Sequence, residues 1–205
     1  MAPLLAVAGL MMSLITPTAP AVNAPPPGAI TVKIVTVNGT GCKAGTAAVA
    51  VSNDKTTFTV TYSNYLAQAG KGTPATDFRK NCQLNLKVTI PGGYTYAIIQ
   101  ADYRGFASLK SGASGLQQAN YYFAGLSPTE YRKHTISGPK DDNWQFTDTT
   151  DVAAAIYRPC GEDRNFNINT ELRVTAKATD PVSFLAMDST DVDINTRYHF
   201  AFKKC

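Results

Sequence analysis

The stretch Tyr157–Val174, YRPCGEDRNFNINTELRV, sets Arg158, Glu162, Asp163 and Arg164 around Cys160 in one short bend ahead of a strand. Opposite charges so close together can cancel as a surface network braced by a disulfide, with Gly161 permitting the sharp turn. They can also line a polar recess at one end of a fold, in which case Arg158, Glu162 and Arg164 are its ligand-binding candidates. A braced corner is the first reading, with Arg79, Lys80 and Arg104 able to join it if their strands are neighbours. Serine nucleophiles need a base beside them, and the chain has 2 histidines. His199 alternates with Tyr198, Phe200 and Phe202 and belongs on the polar face of the last strand. His134, read as a loop residue near Asp141 and Asp142, is the better candidate base. The glycines of SGASG, Ser111–Gly115, miss the spacing of a nucleophile elbow, so the segment reads as a flexible turn.

Glycoside hydrolysis needs two opposed carboxylates. The glutamates are Glu130, Glu162 and Glu171, and Glu171, alternating with inward Leu172, is expected on the polar side of a strand, in an ion pair across the sheet or on a solvated face. MDSTDVDIN places Asp188, Asp191, Asp193 and Asn195 together, hard oxygen ligands of the kind calcium takes. Thr196 and Phe202 stand where an EF-hand begun at Asp191 needs its glycine and closing glutamate, so any calcium site here is of another kind, set against plain aspartate-capped turns. No other cofactor is implied. The 10 tyrosines and Trp144 supply rings that can stack on sugars. In ANYYFAG, Tyr121 and Tyr122 must face opposite ways on a strand, so one enters the core while the other is available to a ligand. Trp144, in DDNWQFTD, reads as a loop residue acting either as a binding platform or as a plug over the end of the fold.

Alternating strands must position these residues. QLNLKVTI puts Leu84, Leu86, Val88 and Ile90 on one face and polar residues on the other, and the following PGG reads as the turn of a hairpin into YTYAIIQADY. Further strands are expected over Thr31–Val37, Ala47–Val51, Thr56–Ser63, Phe106–Lys110, Gln117–Gly125, Val152–Tyr157, Asn167–Ala176, Val182–Met187 and Thr196–Lys203. SPTEYRKH offers at most one helical turn, and no long amphipathic helix exists. The fold class is therefore all-β: two packed antiparallel sheets in a jelly-roll-like sandwich. Residues 1–24 read as a signal peptide with an apolar Leu4–Ile15 run too short to span a bilayer, cleaved after Ala21 or Ala24. Residues 25–30 form a Pro-rich linker, and 31–205 a single domain, with no later membrane span. An even set of 4 cysteines in an exported chain, with no CxxC pair, reads as disulfides. Three pairings are possible, and Cys42–Cys82 with Cys160–Cys205 is favoured because it is sequential and its second bond ties down the last residue of the chain. The net charge of +4 is mild and its basic clusters are short, which argues against nucleic acid.

NGTGCKAGTAAVAVS, DFRKNCQLNLKV, YRGFASL, DDNWQFTDT, RPCGEDRNFNINTELRV and AMDSTD together make the chain resemble a family of small secreted proteins catalogued as domain of unknown function 4360. The resemblance implies an extracellular β-rich protein and carries no catalytic residue or cofactor with it. The leading functional expectation is a secreted, monomeric, non-catalytic module that binds an extracellular polysaccharide or cell wall through Trp144, Tyr121, Tyr122 and the bend. The alternatives are a hydrolase or lyase of such a polymer, and a secreted protein that binds or inhibits another protein. Asn38 begins a glycosylation sequon that serves simply as a turn where the machinery is absent.

Overall fold

The computed structural model describes residues 24–127, 129, 131–187 and 195–205. The proposed signal peptide, except Ala24, and the candidate calcium ligands Asp188, Asp191 and Asp193 lie outside the described residues. The described elements are all strands: β1 Thr31–Asn38, β2 Ala47–Val51, β3 Thr57–Tyr62, β4 Leu66–Ala69, β5 Arg79–Thr89, β6 Tyr94–Leu109, β7 Ser114–Phe123, β8 Arg132–Ser137, β9 Lys140–Thr149, β10 Phe166–Thr175, β11 Ser183–Ala186 and β12 Thr196–Lys204. They form two antiparallel sheets. One runs β1-β5-β10-β7-β8; the other runs β2-β3-β12-β6-β11-β4, with β9 also paired to β6.

The 16-residue β6 organises the second sheet. β12 and β11 occupy successive stretches, Tyr94–Tyr103 and Phe106–Ser108, while β9 pairs with Gln100–Leu109. Between the sheets lie Leu84, Leu86 and Val88 from β5, Leu172 from β10, and Tyr198 and Phe202 from the facing sheet, all assigned inward by the alternation, together with Ile168, Phe58 and Tyr103; all are buried. Aromatic rings meet across the gap, Tyr121 of β7 standing edge-on to Tyr198 of β12 with centroids 6.3 Å apart. Both expected disulfides are formed, Cys42–Cys82 and Cys160–Cys205, with Cα separations of 5.3 and 5.7 Å.

Several local expectations are corrected. PGG does not close a hairpin: β5 and β6 belong to different sheets, so Gly92 and Gly93 carry the chain from one sheet to the other. A short Pro-Gly turn permits either outcome, and the strands' long-range partners decide. Phe106–Lys110 is no separate strand but the end of β6, apart from Lys110. Val152–Tyr157 is not a strand; Asp151 caps a turn there, its side chain accepting from Ala153 N and its carbonyl from Ala154 N. His134 and Trp144 are not loop residues but lie within β8 and β9. Charged residues at inward positions of these edge strands hide the period-two pattern, and Tyr131–His134 forms no helical turn.

Candidate functional site

At one end of the sandwich, β7, β8 and the segment after β9 surround a recess of about 450 Å³, within the range of small-ligand pockets. Tyr121 and Tyr122 reach it from opposite faces of β7, Phe123 and Phe166 form apolar wall, and Thr129, Tyr131 and Arg132 enter from the β7–β8 connection and the start of β8. Thr150, Ala154 and Ile156 close the other side. Tyr131 and Ile156 are 45% and 51% exposed, large apolar surfaces at the rim. The β7–β8 connection is held by backbone: Thr129 N donates to Tyr121 O, and Tyr121 N donates to Thr129 Oγ1. Burial pushes the Tyr121 hydroxyl pKa upward. The group therefore stays protonated and able to donate near neutral pH.

Two residues before Thr150, Asp148 points between the sheets and accepts from His134 Nε2 at 3.0 Å. The His134 ring lies parallel to Phe146, with centroids 4.3 Å apart. This pair joins β8, the edge of one sheet, to β9 of the other. It is an oriented imidazole, but its partner is Asp148 rather than Asp141 or Asp142. A second such pair lies on the outer face of the β6 sheet, where His199 Nε2 and Asp102 Oδ2 are 2.6 Å apart. Thr147 Oγ1 and Gln100 Nε2 also donate to Asp102. Partial burial raises the Asp102 pKa, but the bonds from Thr147, His199 and Gln100 outweigh it and hold the carboxyl below its ordinary range. Among the described residues neither histidine bonds a serine or threonine hydroxyl, and no group of three or more His, Cys, Asp or Glu is arranged to hold a metal ion.

The residues singled out by sequence separate. Tyr121 and Tyr122 come to the recess together. Trp144 does not: it is 5% exposed, on the inward face of β9, with its ring against Gly105 and Phe146. It plugs the interior and offers no stacking face. Arg158, Glu162 and Arg164 occupy the corner. Arg164 pairs with Glu162 and donates to Ala124 O at 2.5 Å, Asp163 pairs with Lys87, and the Arg158 guanidinium lies 5.5 Å from the Tyr96 ring centre. Arg79 takes no part there; it donates to Glu171 on the outer face of β10. Tyr131, Arg132 and Thr129 were missed because YRKH reads as a basic cluster. The available signal was alternation from Arg132 through His134 to Ile136, with Tyr131 just outside it.

The chain matches the Domain of unknown function (DUF4360) over residues 28–205. It is 36% identical over 183 residues to a protein of Arthroderma benhamiae described as an uncharacterized secreted protein, covering 89% of this chain and 75% of that one. A solved structure, the enzymatically active domain of bacteriophage CBA120 tailspike protein 4, aligns at 13% identity and a TM-score of 0.28, over 91% of this chain and 22% of the other. That likeness is too slight for any inference about fold or activity. The family match spans every strand and all four cysteines described above, and the chain belongs to the DUF4360 family.

Proposed function

We propose that this is a secreted, monomeric, non-catalytic protein that binds an extracellular polysaccharide or cell wall, with the recess between β7, β8 and the segment after β9 as its sugar site. One observation carries the reading: Tyr121, Tyr122, Tyr131 and Arg132 converge on a single recess. Tyrosine rings cover sugar faces while their hydroxyls, Arg132 and the threonine hydroxyls can bond sugar hydroxyls. The extracellular setting is supported by the description of the fungal relative, by the paired cysteines, and by the absence, among the described residues, of a helix long and apolar enough to cross a membrane.

The test is retention of the oxidised protein on chitin, cellulose, peptidoglycan and glucans, comparing wild type with Tyr131→Ala and Arg132→Ala. Both side chains are at the rim, so each variant should keep the wild-type melting temperature. Each should also lose about tenfold or more in affinity for the retained polymer, the scale of a binding hot spot. Equal retention of all three proteins would remove the recess from consideration. A second reading, a hydrolase or lyase, has one observation in its favour: the oriented His134–Asp148 pair adjoins the strand end that contributes Thr150. Sugar released in the same tubes, and abolished by His134→Gln, would select it.

A further inference from the structure

We infer that the recess is one end of a longer site, and that the outer face of the β1-β5-β10-β7-β8 sheet continues it as a platform for an extended, uncharged polysaccharide. The inference rests on the reading of the recess as a sugar site and adds the chemical class of the polymer and its path. Strand register brings the outward residues into three rows across β5, β10 and β7: Asn85, Asn167 and Tyr122; Gln83, Asn169 and Asn120; Asn81, Glu171 and Gln118. All but Tyr122 and Glu171 are carboxamides. Adjacent strands are about 4.8 Å apart and same-face residues about 6.7 Å apart along a strand. Asn120, Asn167 and Glu171 are buried and support the block, while exposed Gln83 and half-buried Asn81, Asn85, Gln118 and Asn169 present carboxamides that both donate and accept, the complement of a chain of hydroxyls.

The block is fixed by its own hydrogen bonds and ion pairs. Asn85 Nδ2 donates to Asn167 Oδ1 and Asn165 Nδ2 donates to Asn85 Oδ1, both at 2.7 Å, so these amides are oriented before any ligand arrives. Glu171 is held by Arg79 and Arg173, and Lys87 by Asp163. The groups of the block that read a ligand are neutral carboxamides, whose complement is hydroxyls rather than carboxylates or phosphates, and this points to a neutral polymer. Two features join it to the recess. Tyr122 belongs to both, and Asn120 Nδ2 donates to the carbonyl of Thr129, which lines the recess.

The experiment measures dissociation constants by calorimetry for neutral gluco-oligosaccharides and chito-oligosaccharides of increasing length. Wild type is compared with Tyr131→Ala and with the double variant Gln83→Ala/Asn169→Ala, after thermal melts establish that all are folded. In wild type the affinity should rise about tenfold from the shortest to the longest member of the bound series. The double variant should bind the shortest members as wild type does and lose that rise, whereas Tyr131→Ala should weaken every length. A rise retained in the double variant, or no dependence on length in wild type, overturns the platform and leaves the recess as the whole site. Absence of binding by wild type at every length overturns both readings.

Discussion

Glu171 illustrates how a single side chain on this sheet serves structure and surface together. It is 6% exposed at its side chain, with Arg79 Nη2 donating to one oxygen at 2.5 Å and Arg173 Nη2 to the other at 2.6 Å. Burial by itself raises the pKa, but the two arginine bonds outweigh it and bring the carboxyl below its ordinary value of 4.5. Because the folded pKa lies below the unfolded one, the stabilisation is complete above that ordinary value and is lost as pH falls through the folded one. Glu171→Gln should therefore lower stability at neutral pH by about 2 kcal/mol, the scale of a hydrogen bond to a charged group. Its urea midpoint should also fall less steeply with acid than that of wild type. Parallel acid profiles for the two proteins would show that the pair carries no such linkage. Alternation alone assigned Glu171 outward and left an ion pair or a solvated face open, without identifying Arg79 as a partner. Those residues are 92 positions apart and meet only through the β5–β10 register.

Among the elements, β6 and β9 depend on one close fit. Gly105 stands opposite Trp144, and a Cβ added at Gly105 would come within 2.3 Å of the indole ring and 2.1 Å of the Ala186 carbonyl oxygen. The glycine in YRGF is thus the space in which the tryptophan lies, with β11 closing the other side. Gly105→Ala should cost about 1–3 kcal/mol by overpacking, and Trp144→Ala about 3–5 kcal/mol by leaving a cavity. Chemical denaturation measures both, and a change below about 0.5 kcal/mol in either would contradict the packing described. Loss of binding in Trp144→Ala would accordingly report on the β6–β9 junction, since the ring has no face open to a ligand. β10 was legible because its apolar and polar residues alternate cleanly. β8 and β9 were not, because Arg132, His134 and Asp148 occupy inward positions where the sandwich edge opens toward the recess, and these polar side chains break the pattern that announces a strand.

For the whole molecule, the two disulfides divide the work of restraint. Cys42–Cys82 closes a separation of 40 residues between the segment after β1 and β5, while Cys160–Cys205 closes one of 45 and fastens the chain's end to the charged bend. In the chain-entropy account each bond contributes about 4 kcal/mol by restricting the unfolded chain. Replacing Cys160 and Cys205 together by serine should lower the unfolding free energy by up to about that amount, measured by denaturation against wild type. An unchanged midpoint would mean that the bend and C-terminus are held by other contacts. Residue types and their period of two were enough to establish an all-β chain, its inward faces and an even cysteine set, because alternation and side-chain chemistry are local properties. Order along the chain favoured the sequential disulfide pairing among three possible ones, and the fold decided it. The tertiary structure alone decided that PGG crosses between sheets, that Trp144 is enclosed, and that Tyr121, Tyr122, Tyr131 and Arg132 share one recess. Each of these depends on which distant strand supplies the backbone partner, and that choice is made by the packing of two complete sheets rather than by any short segment.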